Sequence, residues 1–167
     1  MPTWLRKLLE NGANTVRTTR ITPGGTLVRC ETAENEVANV IPTLAKLCEQ
    51  DKSVQRAFFC SPDVSQIFKL PREGGFCGYR NIQMLVSYIK KSKTQGHERF
   101  SGKMPTILQL QDMIERAWDM GINSSGRVET GGIRGTRKYI GTPEVSSLSQ
   151  ARISHICLTE QRHKLYF

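Results

Sequence analysis

Residues 72–89 read REGGFCGYRNIQMLVSYI and place Cys77 between glycines at the start of a periodic segment. After the cysteine, apolar residues recur at the spacing of one helical face, namely Ile82, Leu85, Val86 and Ile89. The residues expected to face elsewhere are Arg80, Gln83, Ser87 and Lys90. The pattern therefore predicts a helix that begins at or just after Cys77.

Cys77 is a candidate nucleophile because of where this helix begins. The first turn of a helix carries unpaired backbone N–H groups and a partial positive charge, which together stabilise a thiolate. The thiolate is the form of cysteine that attacks carbonyl carbons. Gly74, Gly75 and Gly78 leave room for another backbone to approach the sulfur. The alternative interpretation is a small buried side chain beside a turn.

Two segments of the chain resemble one family of enzymes. Residues 74–85 (GGFCGYRNIQML) closely resemble the nucleophile motif of peptidase family C78, papain-like cysteine peptidases that cleave ubiquitin or the modifier UFM1 from conjugates. Residues 135–145 (GTRKYIGTPEV) are similar to the second signature of the family, at a similar distance from the cysteine. Residues 39–47 resemble its upstream helix more weakly. The resemblance covers residues 32–145 and then stops.

The resemblance implies an α+β fold, with Cys77 as nucleophile at the N-terminus of the central helix of a papain-like domain. It also implies a narrow channel for the diglycine tail of ubiquitin or a ubiquitin-like protein. The residues expected along this channel are Gly74, Gly75, Gly78, Tyr139 and Ile140. Gly78 together with Asn81 is more similar to the ubiquitin-directed branch of the family. A tight turn followed by a capped helix is the alternative interpretation of residues 135–144.

A cysteine peptidase also needs a general base, normally a histidine held by a carboxylate or an amide. In the family, the catalytic His and Asp come after the second signature, at positions that would lie beyond Phe167, and no Asp follows Asp119 here. His155 is the remaining candidate base, on a predicted strand at 152–158, although its neighbours differ from the family pattern. We interpret it first as an ordinary strand residue.

Three hypotheses follow, in order of preference. The chain is a truncated form of an active peptidase, a degenerate relative that binds ubiquitin or UFM1 without cleaving it, or an unusual complete enzyme that uses His155. The first predicts a peptidase domain that is incomplete at its C-terminal end. We expect an N-terminal arm at residues 1–31 and the N-terminal portion of the peptidase domain at residues 32–167.

Length and composition limit the other functions. The 167 residues suit one domain, and the five cysteines form no Cys-x-x-Cys pair, so we expect free thiols, no metal site and no cofactor. Neither a signal peptide nor a membrane span is recognisable, which favours the cytoplasm or nucleus. The net charge of +9 makes nucleic acid an alternative partner to ubiquitin conjugates. The densest basic cluster, at 90–93, has a structural explanation at a helix C-terminus.

Periodicity and turn residues predict the remaining elements. Helices are predicted at 2–10, from 32 or 35 to 50, at 106–120 and from 142 onwards, the last with Thr142 as N-cap. Two extended pieces are predicted between 13 and 31, and a strand or helix end at 54–60 that places Phe58 and Phe59 in the core. Residues 94–105 and 123–135 are predicted loops, the first containing a solvated His97.

Overall fold

The computed structural model describes residues 1–94, 97–100 and 102–153. The helices are α1 (Thr3–Asn11), α2 (Val40–Gln50), α3 (Cys77–Ser92), α4 (Ile107–Asp119), α5 (Ser125–Thr130) and α6 (Thr142–Ile153), with a 3-10 turn at His97–Phe100. The strands are β1 (Thr15–Ile21), β2 (Leu27–Ala33), β3 (Glu36–Val37) and β4 (Gln66–Ile67). The fold is a mixture of helices and small sheets, in agreement with the predicted α+β class.

The core forms where α3 and α4 meet α1 and α6. Its fully buried members include Leu5, Phe76, Tyr79, Ile82, Ile107, Leu110, Ile114 and Ile133. Helix α1 contributes Leu5 and Leu9, which are four residues apart and therefore lie on one face. It ends at Gly12, which has a positive φ of 68° and donates its N–H to the carbonyl oxygen of Leu8 at 3.1 Å.

Helices α3 and α4 confirm the predictions based on their periodicity. Helix α3 begins at Cys77, and α4 begins after Thr106, whose hydroxyl and the side chain of Gln109 form a reciprocal capping box. Leu85 is an error in the predicted apolar stripe, because its side chain is 39% exposed. The polar residues expected to face elsewhere include three that are in fact buried, which are Arg80, Gln83 and Ser87. Other parts of the chain therefore cover α3 on the face that carries these three polar residues as well as on its apolar face.

The predicted extended pieces form an antiparallel hairpin of β1 and β2. The register pairs Thr15 with Ala33 and Ile21 with Leu27, so β2 extends two residues past the predicted end. The tight turn begins at Thr22, whose carbonyl oxygen accepts from the N–H of Gly25 at 2.9 Å. A second sheet consists of β3 and β4, two residues each, also antiparallel.

The predictions for residues 32–60 were partly wrong. Residues 36–37 form a strand, so α2 begins at Val40 and Pro42 lies in its first turn, where proline is tolerated. No residue of α2 is buried, and Leu47, on the apolar face of the helix, is 55% exposed. Residues 54–60 form no helix or strand, and Phe58 is 86% and Phe59 42% exposed. Amphipathic periodicity shows which face is apolar but not whether this chain covers it.

Three further predictions need correction. The loop predicted at 123–135 contains α5, which places Gly126 against the indole of Trp118 and ends at Gly131. Helix α6 includes Thr142 as its first residue, so the capping contact comes instead from Glu144, which accepts from the N–H of Gly141 at 2.7 Å. Residues 152–153 belong to α6 and not to a strand.

The remainder of the predicted strand and His155 lie outside the described residues. Within the described ranges, no helix is both long enough and apolar enough to cross a membrane.

Candidate active site around Cys77

Cys77 is the first residue of α3, and its side chain is exposed. The first backbone bond of the helix runs from the N–H of Arg80 to the carbonyl oxygen of Phe76 at 3.2 Å. Helix geometry leaves the N–H groups before it, from Cys77 onwards, without an acceptor in the helix. Phe76 at the N-cap is fully buried and offers no capping side chain. Cys77 therefore directly follows an anchored residue and lies in the turn whose N–H groups have no acceptor within the helix.

The second signature packs directly against the first. A Cβ added to Gly75 would lie 2.8 Å from the ring of Tyr139, and one added to Gly78 would lie 2.8 Å from the side chain of Ile140 and 2.9 Å from its carbonyl oxygen. Ile140 is buried, whereas Tyr139 is 68% exposed and covers Gly75 from the solvent side. The structure thus brings four of the five predicted channel residues together next to Cys77.

Gly74, the fifth predicted channel residue, has a different role in the local structure. Its φ of +85° belongs to the left-handed region, and its carbonyl oxygen accepts from the Nζ of Lys69 at 3.2 Å. A Cβ added there would lie 3.3 Å from the guanidinium of Arg137. Gly74 therefore allows the chain to turn just before Cys77, close to the side chains of Lys69 and Arg137.

A buried ion pair fixes the loop that precedes Cys77. The carboxylate of Glu73, which is 1% exposed, accepts two hydrogen bonds from the guanidinium of Arg80. One comes from Nε at 3.0 Å and the other from a terminal nitrogen. Glu73 also accepts from the backbone N–H of Leu70 at 2.8 Å. Arg80 also donates to the side-chain oxygen of Gln83, and the amide nitrogen of Gln83 donates to the carbonyl oxygen of Pro105 at 2.7 Å. This network ties the loop to one side of α3.

Gln111 on α4 links the second signature to α3. Its amide nitrogen donates to the carbonyl oxygen of Thr136 at 3.1 Å, and its amide oxygen accepts from the N–H of Gly135 at 2.9 Å. The same nitrogen lies 3.4 Å from the hydroxyl of Tyr79. Burial raises the pKa of Tyr79 to about 12 against the opposing effect of the Gln111 hydrogen bond, and the carboxylates of Glu144 and Glu115 add to the increase.

Glu115, one turn further along α4, holds the two residues that lead into the second signature. One carboxylate oxygen accepts from the N–H groups of Ile133 at 2.7 Å and Arg134 at 3.0 Å, and the other accepts from Arg127 at 2.9 Å. Burial by itself raises the pKa of Glu115. The backbone hydrogen bonds from Arg134 and Ile133 and the charges of Arg127 and Arg134 outweigh it, so the net shift is downward. The carboxylate form is the one that this site stabilises.

The described residues contain one histidine, His97, on the 3-10 turn. Its Nδ1 lies 3.1 Å from the carbonyl oxygen of Thr94 and 3.1 Å from the carboxylate of Glu98. Its contacts are thus with its own loop and not with the cysteine. His155 lies outside the described residues, so its assignment as a base stays a prediction.

The other thiols of the described part of the chain differ from Cys77 in their surroundings. Cys48 is half-buried on α2, and Cys60 is exposed in an irregular segment, and both are free. Among the residues the structure describes, no group of three or more His, Cys, Asp or Glu side chains is placed to hold a metal ion.

The polar residues that hold the site together were not predicted from the sequence, namely Glu73, Arg80, Gln111 and Glu115. A signal existed for Gln111, which lies four residues after Ile107 and three before Ile114 and so falls inside the predicted apolar stripe. A polar residue in such a stripe must find a buried partner. No comparable signal marked the Glu73–Arg80 pair. Glu73 lies in a loop and Arg80 on a helix, so no periodic pattern includes both residues.

The chain is similar to known cysteine peptidases. The sequence model of peptidase family C78 matches residues 53–163. The chain is 36% identical over 77 residues to the zinc finger-containing ubiquitin peptidase 1 of Mus musculus, covering 46% of this chain and 13% of that protein. The human protein of the same name is 35% identical over 74 residues, covering 44% and 13%.

A second kind of relative comes from fission yeast. The ubiquitin carboxyl-terminal hydrolase mug105 of Schizosaccharomyces pombe is 35% identical over 89 residues, covering 52% of this chain and 36% of that protein. This chain therefore spans between 13% and 36% of the length of these relatives.

Proposed function

Since this chain belongs to peptidase family C78, we propose that it is a cysteine isopeptidase directed at ubiquitin or a ubiquitin-like modifier, with Cys77 as its nucleophile. The observation that carries the proposal is the packing of the two signatures. Gly75 and Gly78 lie against Tyr139 and Ile140, beside an exposed thiol at the first residue of α3. We also propose that the peptidase domain has the papain-like arrangement of the family.

In the proposed reaction, the Cys77 thiol gives its proton to a general base, and the thiolate attacks the carbonyl carbon of the modifier's last glycine. A C–S bond forms and the carbonyl oxygen becomes an oxyanion. When the carbonyl reforms, the C–N bond to the lysine breaks, the amine takes the proton from the base, and water then hydrolyses the acyl-enzyme. The N–H of Cys77 has no acceptor in the helix and supports the role of oxyanion donor. The glycines at 75 and 78 let Tyr139 and Ile140 pack beside Cys77, and we propose that these two residues border the diglycine tail.

A ubiquitin derivative with an electrophilic C-terminus tests the nucleophile. We expect the unmutated chain to become covalently labelled at Cys77 and the Cys77→Ala variant to remain unlabelled. Cys60→Ala is the matched control, because Cys60 is also exposed but lies outside any helix. Labelling that survives in Cys77→Ala, or that is lost in Cys60→Ala, would contradict the proposal. Reversible binding of ubiquitin without labelling would favour the non-catalytic binding module.

A small alkylating reagent separates the effect of the helix terminus from that of substrate docking. At limiting iodoacetamide, we expect Cys77 to react before Cys60, since both thiols are exposed and only Cys77 lies beside free N–H donors. Peptide mapping reads the order of modification. Equal rates would mean that exposure alone determines thiol reactivity here.

Turnover of a fluorogenic ubiquitin substrate tests the remaining role, that of the general base. Loss of a positioned base typically costs about 10²- to 10⁴-fold in rate. If His155 is an ordinary residue, as we first interpreted it, we expect negligible turnover in the unmutated chain and no further loss in His155→Ala. Turnover that falls by this factor in His155→Ala, with probe labelling at Cys77 retained, would assign the base to His155.

A further inference from the structure

The β1–β2 hairpin lies outside the residues that match the family, 53–163, and the proposed reaction does not use it. Its side chains are largely exposed on both faces, including Val16 at 42%, Ile21 at 73% and Leu27 at 58%. A two-stranded ribbon is only marginally stable in water unless another strand or a helix covers it. The hairpin therefore has exposed surface available for pairing, and a further strand would stabilise it.

The hydrogen-bond phase of the hairpin shows which groups are free for such pairing. The N–H of Thr22 donates to the carbonyl oxygen of Thr26, and the N–H of Glu34 donates to that of Asn14, each at 2.9 Å. The even-numbered residues between these pairs therefore direct their backbone N–H and C=O groups towards the other strand of the hairpin. The odd-numbered residues of β2 consequently direct their N–H and C=O groups outward. These residues are Leu27, Arg29, Glu31 and Ala33. Among the described residues, no strand pairs with this edge.

Edge strands of monomers usually carry proline, lysine or a bulge that prevents pairing. Strand β2, with the sequence LVRCETA, contains neither proline nor lysine, and its register with β1 is unbroken over seven residues. The charges that it does carry, Arg29 and Glu31, are opposite in sign and both belong to the outward-bonding set. This edge is thus open to another strand of matching charge pattern.

A second copy of β2 has that pattern. When two copies run antiparallel about a two-fold axis at position 30, Arg29 lies opposite Glu31 of the second copy, twice, and Leu27 lies opposite Ala33. Sliding the register by two residues would place either Arg29 or Glu31 opposite its own copy, which is unfavourable. The outer edge of β1 offers no such match, because its best self-register sets Arg17 opposite Thr19. Charge therefore selects one edge and one register.

We propose that two copies of this chain associate through β2 in this register and form a four-stranded antiparallel sheet with the order β1-β2-β2-β1. The ion pair already present in each hairpin supports it, since Arg17 Nε lies 2.7 Å from the Glu31 carboxylate on the same face. In the dimer, each row across the sheet would read Arg17, Glu31 and then Arg29 of the second copy. Each Glu31 then contacts two cations.

Analytical ultracentrifugation of the full chain over a range of concentrations tests the proposal. We expect a monomer–dimer equilibrium in the unmutated protein. Arg29→Glu and Glu31→Arg should each weaken it about tenfold or more, because each single change makes both symmetric pairs like-charged. Combining the two changes restores opposite charges across the two-fold axis, and Arg17→Glu is added so that residue 31 keeps an oppositely charged partner within the hairpin. This triple variant should recover the dimer. Arg56→Glu, an equal charge change at an exposed residue outside the hairpin, is the control and should have no effect.

Hydrogen exchange identifies the edge. We expect the amides of residues 27, 29, 31 and 33 to become protected as the protein concentration rises, while the outward amides of β1 stay unprotected. Circular dichroism verifies that the variants fold. A chain that is monomeric at every concentration, a dimer that persists in Arg29→Glu, or a folded triple variant that stays monomeric would each overturn the proposal. Protection that appears only when another protein is added would overturn it in favour of a different partner.

Discussion

At the scale of single residues, Gly75 and Gly78 differ in what a methyl group would meet. At Gly78 the methyl would press on the side chain and the carbonyl oxygen of Ile140, and that backbone belongs to the fixed second signature. At Gly75 it would meet only the ring of Tyr139, an exposed side chain that can rotate away. The two glycines thus predict different results for the same substitution.

Gly78→Ala should lower the free energy of unfolding by about 1–3 kcal/mol, the usual cost of overpacking, even though alanine is the better helix former. Gly75→Ala should have a smaller effect on stability. Both should slow labelling by the ubiquitin probe, because the packing beside Cys77 changes in each. Urea denaturation and the labelling rate are the measurements. Gly102→Ala is the control, since a Cβ there meets nothing within 4 Å. Equal destabilisation at 75 and 78 would contradict the difference in contacts.

At the scale of elements, α4 positions the second signature through Glu115. Because the pKa of this carboxyl group is lowered in the folded chain, the folded state binds the proton more weakly than the unfolded state. The stability that it contributes is therefore complete above the unfolded pKa of about 4.3 and is lost as the pH falls through the lower folded pKa.

Glu115→Gln should consequently destabilise the protein by about 1–3 kcal/mol near neutral pH, and the difference from the unmutated chain should shrink below about pH 4.3. Urea unfolding at a series of pH values measures this difference. Glu129→Gln on α5 is the control, since Glu129 is exposed. A stability difference that is constant, or that grows in acid, would show that the Glu115 carboxylate is not what holds residues 133–134.

The elements also show how far the sequence could predict this fold. Helices α1, α3 and α4 have both apolar periodicity and a start or stop residue, and their predicted positions are confirmed. Helix α2 has periodicity too, but the described residues cover its apolar face only in part: Ile41 is half-buried, whereas Leu44 and Leu47 are exposed. How far an apolar face is covered depends on tertiary structure and not on periodicity. Helix α5 is six residues long and rich in small residues, so its sequence gave no periodic signal.

Two leucines at apolar positions of their helices should therefore behave differently. Leu110→Ala on α4 should cost about 2–5 kcal/mol, since Leu110 is fully buried. Leu47→Ala on α2 should stay within about 0.5 kcal/mol, because the side chain is 55% exposed. The midpoint of urea denaturation compares the two. A large loss in Leu47→Ala would mean that α2 is covered in solution.

At the scale of the whole molecule, the sequence could predict that the two signatures meet, but not which residues support them. Cys77, Gly75 and Gly78 stand next to Tyr139 and Ile140, as the two signatures suggested. The second signature reaches this position because the buried side chains of Gln111 and Glu115 on α4 hydrogen-bond residues 133–136. These contacts exist only in the folded chain. The core itself extends beyond the residues that match the family, since α1 lies before residue 53 and still contributes two buried leucines.

That single core leads to a prediction about cooperativity. Leu5 is 1% exposed and belongs to the same cluster as Leu110 and Tyr79, so Leu5→Ala should cost about 2–5 kcal/mol although it lies far from the signatures in sequence. Trp4→Ala, at a neighbouring residue that is 53% exposed, should cost much less. In urea, Leu5→Ala should lower the midpoint of one transition seen alike by fluorescence and circular dichroism. Two separate transitions, with only the first shifted, would mean that α1 unfolds independently and that the region around Cys77 is stable without it.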